Sequence, residues 1–135
     1  LNDSMGNYVA NQVLKKILNN SKSPNQHNIL LLGFTFKENC PDIRNTRVID
    51  IFETLVDVGV NVDIYDPWAS SDEVNKVFNI DLIEKIDYEK IYSAIVLCVS
   101  HSEFSKLDLY KFKKNNSLIY DVKGYLPFED VDYRL

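Results

Sequence analysis

Residues 28–46 read NILLLGFTFKENCPDIRNT, and this stretch decides the fold. Its ILLL run is continuous and of strand length, which is typical of a strand buried on both faces of a parallel sheet. Gly33 ends the run, and the residues that follow are mostly polar or charged. Residues 47–58, RVIDIFETLVDV, then place apolar side chains at helical spacing, with Thr46 as a cap and Gly59 as the stop. A buried strand that leads through a loop into an amphipathic helix predicts an α/β protein.

The same alternation continues to the end of the chain. Three more strand patterns follow: VNVDIYDP at 60–67, SAIVLCVS at 93–100 and SLIYDVKG at 117–124, which we expect to be the last strand. Helical patterns lie between them at 70–79 and 106–115, whereas LIEKIDYEKIY at 82–92 fits neither type. Strands that alternate with helices predict a parallel sheet with right-handed crossovers, as in one half of a Rossmann-like, doubly wound fold.

An amphipathic helix is predicted ahead of this alternation. Residues 2–18, NDSMGNYVANQVLKKIL, have its apolar spacing, and residues 2–4 supply N-cap groups. A polar connector at 19–27 separates it from the first strand. We therefore predict residues 1–20 to be the end of a helix from a neighbouring module and residues 28–135 to form the Rossmann-like domain. Because the chain opens with leucine inside a helical pattern, we expect it to be a piece of a longer polypeptide.

Composition limits the possible functions. The 135 residues are 45% hydrophobic and 26% charged, which is normal for one globular domain. The net charge of -5 argues against extensive binding to nucleic acid or to an anionic membrane, because both call for a basic face. No apolar run reaches the roughly 18 residues of a spanning helix, and no signal peptide is recognisable. We expect a soluble, cytoplasmic protein in which any anion site is local.

The two cysteines do not predict a disulfide. Cys40 lies in a polar loop and Cys98 lies inside the apolar AIVLCVS, so reduced thiols are expected. Cys98 is interpreted as a small buried apolar residue. No base stands at a meaningful spacing from Cys40, so we assign it no catalytic role. We predict no catalytic residue and no metal ligand in this chain.

Polar residues follow three of the predicted strands. Ligands of open α/β sheets bind beyond the carboxyl ends of the strands, where the strand order reverses. The residues at these ends are Lys37, Asp42 and Arg44 after the first strand, Ser100, His101 and Glu103 after the third, and Asp121, Lys123 and Gly124 after the fourth. Basic side chains can therefore converge at one edge despite the acidic total charge.

The loop after the first strand lacks the glycines of a dinucleotide site. The fingerprint G-x-G-x-x-G needs them so that backbone N–H groups can approach a pyrophosphate, and only Gly33 is present. An anion at this edge would instead be held by side chains, a lysine as a point charge and an arginine as a planar fork.

Each of these residues also has a purely structural interpretation. Lys37 and Lys123 fit solvated surface lysines, and Asp42 with Arg44 fits an ion pair within a loop. His101 fits a polar residue at a strand end. The residues alone leave these alternatives open and lead to a doubly wound domain with a candidate anion site.

Residues 33–46 follow the pattern G-x-x-F-K-x-x-x-x-D-x-R-x-[ST], and a helix and a strand ending in YDP come next. This arrangement closely resembles the C-terminal, UDP-binding domain of the UDP-glucose/GDP-mannose dehydrogenase family. NDSMGNYV at 2–9 resembles the end of the family's central helix, HSEF at 101–104 the segment after its fourth strand, and YDVKGYLP at 120–127 its last strand and loop. FKENCPDIRNT is most similar to the branch that oxidises UDP-N-acetylhexosamines for surface polysaccharides.

The resemblance implies a function for the full-length protein. Family members use NAD to oxidise the C6 hydroxyl of a UDP-hexose or UDP-N-acetylhexosamine to a carboxylate, through a thioester on a cysteine outside the part matched here. The resemblance implies that Phe36, Lys37 and Lys123 contact the UDP-sugar and that Arg44 reaches across the interdomain cleft toward NAD. It also implies that NAD is held mainly by an N-terminal domain of the same chain and that the full-length enzyme is a homodimer.

Two other hypotheses stay open at this point. In the first, the chain is a free-standing nucleotide-binding or regulatory module without catalysis. In the second, it is a structural or assembly domain. A continuous upstream reading frame with G-x-G-x-x-G and a cysteine favours the enzyme, whereas an upstream stop codon contradicts it.

Overall fold

The computed structural model describes residues 3–18 and 22–135, with side chains from residue 5 onward in the first of these segments. The side chains of residues 2–4, which are the predicted N-cap groups, lie outside this description. So do residues 19–21, the first part of the predicted connector. The helices and strands in chain order are α1 (Asp3–Ile17), β1 (Asn28–Leu32), α2 (Val48–Val58), β2 (Asn61–Tyr65), α3 (Ser71–Phe78), β3 (Ala94–Leu97), α4 (Leu109–Lys114), β4 (Leu118–Asp121) and β5 (Tyr133–Arg134). Short 3-10 helices occupy Pro24–Gln26, Ser102–Lys106 and Phe128–Asp130.

The strands form one parallel sheet in the order β2-β1-β3-β4-β5. The chain runs from β1 outward to β2 and then crosses back to β3 on the other side of β1. The strand order therefore reverses between β1 and β3, and the carboxyl ends of these two strands mark the expected ligand edge. The predicted α/β, Rossmann-like fold class is confirmed.

The prediction that residues 117–124 contain the last strand is wrong. Tyr133–Arg134 forms a fifth strand beside β4, with Tyr120 paired to Tyr133 and Asp121 paired to Arg134. A strand of two residues is too short to show alternation in a sequence, and it exists because β4 offers a free edge to pair with. Residues 82–92, which fitted neither pattern, form bends and turns.

Helix α2 begins and ends as the sequence indicates, with one difference. Arg47, and not Thr46, is the residue directly before the helix. The Thr46 hydroxyl still accepts a hydrogen bond from the Val48 N–H at 3.2 Å, and it donates to the Phe34 carbonyl, so it ties the start of α2 to the β1 loop. Gly59 ends the helix in the left-handed conformation, with φ at 107°.

The core lies on both faces of the sheet. On one face α1 and α2 pack together against β1 and β3, and Val9, Val13 and Ile17 of α1 are buried in this cluster. Gly6 permits the close approach of the two helices, because a Cβ there would lie 2.8 Å from the Cβ of Asp50. Helix α1 thus shares the core of the sheet. The division at residues 1–20 and 28–135 stays a prediction.

Candidate functional site

The turn after β1 requires its single glycine. Gly33 has a φ of 96°, and a Cβ at this position would lie only 2.6 Å from the Cβ of Val99. Glycine therefore allows the end of β1 to pass directly beside the end of β3. This is the point where the strand order reverses.

Asp66, at the end of β2, holds the beginning of the loop. Its Oδ2 accepts hydrogen bonds from the N–H groups of Phe34 at 2.6 Å and Thr35 at 3.0 Å, and its side chain is completely buried. Burial raises the pKa of Asp66, but the hydrogen bonds from His101 and from the Phe34 N–H outweigh it and hold the pKa below its ordinary value. The backbone donors that would face a pyrophosphate in a glycine-rich loop are thus occupied by this carboxylate.

His101 joins the same loop to β3. Its Nε2 lies 3.0 Å from Asp66 Oδ2 and 3.1 Å from Thr35 Oγ1, and its Nδ1 accepts the N–H of Asn39 at 2.9 Å. The imidazole is completely buried. A relay of the Ser-His-Asp type needs the hydroxyl and the carboxylate on different ring nitrogens, whereas here both face Nε2. The contacts agree with the structural interpretation of His101 as a polar residue at a strand end.

A cavity of about 240 Å³ opens beside this network at the carboxyl ends of β1, β3 and β4. Its lining residues are Thr35, Phe36, Lys37, Asn45, Arg47, Val48, Cys98, Val99 and Lys123. The cavity thus brings the neighbouring residues Phe36 and Lys37 together with Lys123, which lies far from them in the sequence. Phe36 leaves 54% of its surface exposed at this site, which is unusual for a large aromatic residue.

The two lysines at this cavity are available to a ligand. In the part of the chain that the structure describes, neither Lys37 nor Lys123 forms an ion pair. Larger and more open grooves of about 490 and 580 Å³ lie on the side of α4, where Lys113 pairs with Asp130 at 2.7 Å. That pairing neutralises Lys113 and, among the residues that the structure describes, leaves Lys106 unpaired in one of those grooves. The smaller cavity brings two such unpaired lysines together, so it is the better candidate for an anion site.

The loop that carries Lys123 is held in the same way as the β1 loop. Asp121, at the end of β4, is fully buried, and its carboxylate accepts the N–H groups of Lys123 at 3.0 Å, Tyr125 at 2.7 Å and Leu126 at 2.8 Å. Sequence reasoning placed Asp121 at the ligand edge but missed this role. An aspartate directly after an apolar strand is the available signal, since this residue type accepts hydrogen bonds from nearby backbone N–H groups.

Arg44 lies outside the cavity. Its guanidinium donates to both carboxylate oxygens of Asp42, from Nε and Nη2 at 3.0 Å each, and its side chain is 83% exposed. The hydrogen bond from Arg44 lowers the pKa of Asp42. The ion pair that the sequence left open is therefore present, and it directs the guanidinium outward.

Sequence reasoning missed Arg47. This residue immediately precedes α2 and lines the cavity with Lys37 and Lys123. A basic residue between a polar loop and a helix is a weak signal, because the helix rotation that turns it toward or away from the sheet edge is not visible in the sequence. Three cations consequently line one cavity in a chain with a net charge of -5.

Comparison with known proteins gives this site a context. The model of the UDP-glucose/GDP-mannose dehydrogenase family, UDP binding domain, matches residues 30–127. The chain belongs to this family. It is 41% identical to the UDP-N-acetyl-D-glucosamine 6-dehydrogenase of Salmonella typhi over all of the chain and 32% of that protein. It is 34% identical to Protein CapL of Staphylococcus aureus over 98% of the chain and 31% of that protein.

A solved structure supports the same assignment. The native structure of the UDP-N-acetyl-mannosamine dehydrogenase Cap5O from Staphylococcus aureus superimposes with a TM-score of 0.70 and 28% identity, covering 98% of this chain and 31% of that one. The family resemblance seen in the sequence is confirmed, including its similarity to UDP-N-acetylhexosamine dehydrogenases. This UDP-binding domain spans about a third of the length of the curated relatives that it matches.

In the described part of this UDP-binding domain, neither cysteine is hydrogen-bonded to a base that would take its proton, and Cys40 lies close enough to Arg44 for an electrostatic interaction. Cys98 is buried as predicted, and burial raises the pKa of its thiol, which disfavours the nucleophilic thiolate. Cys40 is partly exposed, and both thiols are free, as expected. Within residues 3–18 and 22–135 there is no group of three or more His, Cys, Asp or Glu side chains that could hold a metal ion. In the same residues, no helix is both long and apolar enough to cross a bilayer.

Proposed function

We propose that this chain is the nucleotide-sugar-binding domain of an NAD-dependent UDP-sugar 6-dehydrogenase. The full-length enzyme oxidises the C6 hydroxyl of a UDP-N-acetylhexosamine or UDP-hexose to a carboxylate in surface polysaccharide biosynthesis, in the cytoplasm. The cavity lined by Lys37, Arg47 and Lys123 carries this proposal, because a cluster of cations in an acidic chain suits the diphosphate of a UDP-sugar. The exposed ring of Phe36 adds an apolar surface at the same cavity.

Two groups of residues serve different ligands in this proposal. Phe36, Lys37 and Lys123 bind the UDP-sugar in the cavity. Arg44 is exposed and lies outside the cavity, which suits a contact with NAD across an interdomain cleft. The N–H groups of Phe34 and Thr35 are occupied by Asp66, so the β1 loop of this chain does not fit a dinucleotide pyrophosphate. An N-terminal domain of the same polypeptide therefore holds NAD, and the full-length enzyme is a homodimer.

The full-length protein and the isolated chain are expected to differ completely in activity. With NAD and UDP-N-acetyl-D-glucosamine, UDP-N-acetyl-D-mannosamine or UDP-glucose, the full-length protein should form NADH with at least one of the three. The chain of 135 residues should form none, because it has no dinucleotide fingerprint and no activated thiol. NADH absorbance is the measurement. NADH formation that scales with the concentration of the isolated chain would refute the second expectation. A full-length protein that binds the nucleotide sugars without oxidising any of them would favour the regulatory module.

Replacement of Cys40 by serine is expected to leave the turnover of the full-length enzyme nearly intact. Cys40 is partly exposed and has no neighbouring base that would form a thiolate. Steady-state NADH formation by Cys40→Ser and by the unmodified enzyme is the test. A loss of several orders of magnitude, as expected for removal of a nucleophile, would assign the thioester to this residue.

A further inference from the structure

We propose that His101 is a positioning residue whose neutral imidazole holds the Phe36–Lys37 segment in place for nucleotide-sugar binding, and that its protonation releases the Asn39 end of this segment. The proposal rests on the proposed function of the cavity. It concerns a residue that lies outside that cavity and acts through hydrogen bonds to the loop.

The two ring nitrogens of His101 have fixed roles. Nδ1 faces the N–H of Asn39 at 2.9 Å, and a backbone N–H is always a donor, so Nδ1 is the acceptor and carries no proton. Nε2 therefore carries the proton and donates to Asp66 Oδ2 and Thr35 Oγ1. The Thr35 hydroxyl in turn donates to the carbonyl of Lys37 at 3.1 Å. One neutral tautomer satisfies every contact.

These contacts enclose the segment that reaches the cavity. Thr35 precedes Phe36 and Lys37 in the sequence, and Asn39 follows them, so a single ring ties both ends of this short segment. Asn39 makes a second hydrogen bond to this part of the chain, because its Oδ1 accepts the N–H of Ser102, the residue after His101, at 2.9 Å. Asn39 also adopts a φ of 54°, a left-handed conformation that asparagine tolerates better than most other residues. The position of Lys37 in the cavity thus depends on a ring that Lys37 itself does not touch.

A second proton on His101 removes one of these ties. Protonated Nδ1 becomes a donor that faces the Asn39 N–H, and two donors repel each other. Among the described residues, two acidic groups face the ring. They are Asp66, directly after β2, and Glu103, in the 3-10 helix Ser102–Lys106 that directly follows His101. The loop faces the ring with the Thr35 hydroxyl and the Asn39 N–H. The protonated ring keeps its hydrogen bonds to Asp66 and Thr35 and loses the one to Asn39.

The carboxylates near the ring do not change charge in the range where histidines titrate. The pKa of Glu103 is lowered by the hydrogen bond from Trp68, and the pKa of Asp66 is lowered by hydrogen bonds that outweigh its burial. Both groups are therefore ionised between about pH 5 and pH 8, so neither of them accounts for a change of loop order in this range. Since the ordered loop requires neutral His101, loop order and nucleotide-sugar affinity are both expected to fall as the pH falls.

Two substitutions separate the acceptor role of Nδ1 from the donor role of Nε2. In His101→Asn the amide oxygen takes the place of Nδ1 and accepts the Asn39 N–H, while the donor to Asp66 is lost. In His101→Gln the amide nitrogen takes the place of Nε2 and donates to Asp66, while the acceptor for the Asn39 N–H is lost. Neither side chain titrates. His27→Asn is the matched control, because His27 is a buried histidine before β1, at the opposite edge of the sheet.

Hydrogen–deuterium exchange of the full-length protein tests the loop directly, without any nucleotide. Protection of the peptide that covers residues 35–40, corrected for the intrinsic exchange rate, should fall about tenfold from about pH 8 to about pH 5 in the unmodified protein and in His27→Asn. In His101→Asn the protection should not depend on pH, and in His101→Gln it should be low throughout. A fall of the same size in both His101 variants would overturn the proposal.

Binding of UDP-N-acetyl-D-glucosamine by calorimetry tests the consequence for the cavity. This ligand is a diphosphate diester, so its own charge is constant over the same range. The dissociation constant should rise about threefold to tenfold toward about pH 5 in the unmodified protein and stay constant in both His101 variants. An identical rise in both variants overturns the proposal. If the ligand does not bind at any pH while the exchange results hold, the proposed function fails and the role of His101 in ordering the loop stands.

Discussion

Replacement of Asp66 by alanine is expected to lower the free energy of unfolding by about 4 kcal/mol, because it leaves several buried donors without an acceptor at about 1–3 kcal/mol each. The buried donors are the N–H groups of Phe34 and Thr35, and Asp66 also accepts the N–H groups of Trp68 and Ala69. The Nε2 of His101 loses Asp66 but keeps the Thr35 hydroxyl as an acceptor. Urea denaturation followed by the fluorescence of Trp68, the one tryptophan of the chain, measures the change. Trp68 is a suitable probe because its ring stacks on His101 with centroids 6.1 Å apart.

The same variant has a distinct dependence on pH. The pKa of Asp66 is lower in the folded state than in the unfolded chain, so the carboxylate stabilises the fold above its unfolded pKa. This stabilisation decreases as the pH falls through the folded pKa, and the difference between the unmodified protein and Asp66→Ala should therefore decrease in acid. Asp57→Ala, on the exposed side of α2, is the control and should change stability by less than about 0.5 kcal/mol. A loss for Asp66→Ala no larger than that of the control would contradict the assigned role.

Replacement of Lys37 by alanine in the full-length enzyme is expected to raise the KM for the nucleotide sugar by roughly tenfold to 150-fold, and Lys123→Ala should act in the same direction. The estimate follows from about 1.5–3 kcal/mol for a hydrogen bond to a charged group, with a factor of ten for each 1.4 kcal/mol. Arg44→Ala should weaken the apparent affinity for NAD by a similar factor, with a smaller effect on the nucleotide sugar. Steady-state kinetics with each substrate varied in turn separates these effects.

Two further variants test whether the position of a positive charge, and not the charge alone, decides which ligand is affected. Lys85→Ala removes an exposed lysine from the segment before β3 and should change neither KM. Arg47→Ala removes an arginine three residues after Arg44 that lines the cavity, so it should act on the nucleotide sugar rather than on NAD. If Arg44→Ala changed only the KM for the nucleotide sugar, or Lys37→Ala changed neither KM, the proposed division of ligands would be wrong.

The periodic elements of this fold were predictable because burial acts on every residue of a strand or helix. The runs at β1 and β3 are apolar at nearly every position, since both strands are central and buried on both faces. Strand β5 has only two residues, and its pairing with β4 depends on a neighbour rather than on its own composition. The alternation of strands and helices predicted the doubly wound parallel sheet, and the structure places the reversal of strand order between β1 and β3.

For the candidate site, the sequence predicted which residues lie near the expected ligand edge but not how their side chains are oriented. Phe36, Lys37 and Lys123 follow the ends of β1 and β4, and a parallel sheet brings these ends together. Arg44 and Arg47 lie in the same loop. Arg44 pairs with Asp42 and is exposed to solvent, whereas Arg47 lines the cavity. Their spacing alone does not distinguish these two orientations, because the path of the loop decides them.

The sequence by itself determined the class of fold, the sheet edge that carries the candidate site and the family to which the chain belongs, since hydrophobic spacing and a local motif are properties of neighbouring residues. Only the tertiary structure decided how the loop is held. Its ties run from Phe34 to Asp66 and from Asn39 to His101, across 32 and 62 residues of sequence. Buried donors and acceptors must find partners wherever the fold places them, and such pairings between residues far apart in the chain leave no periodic signal in the sequence.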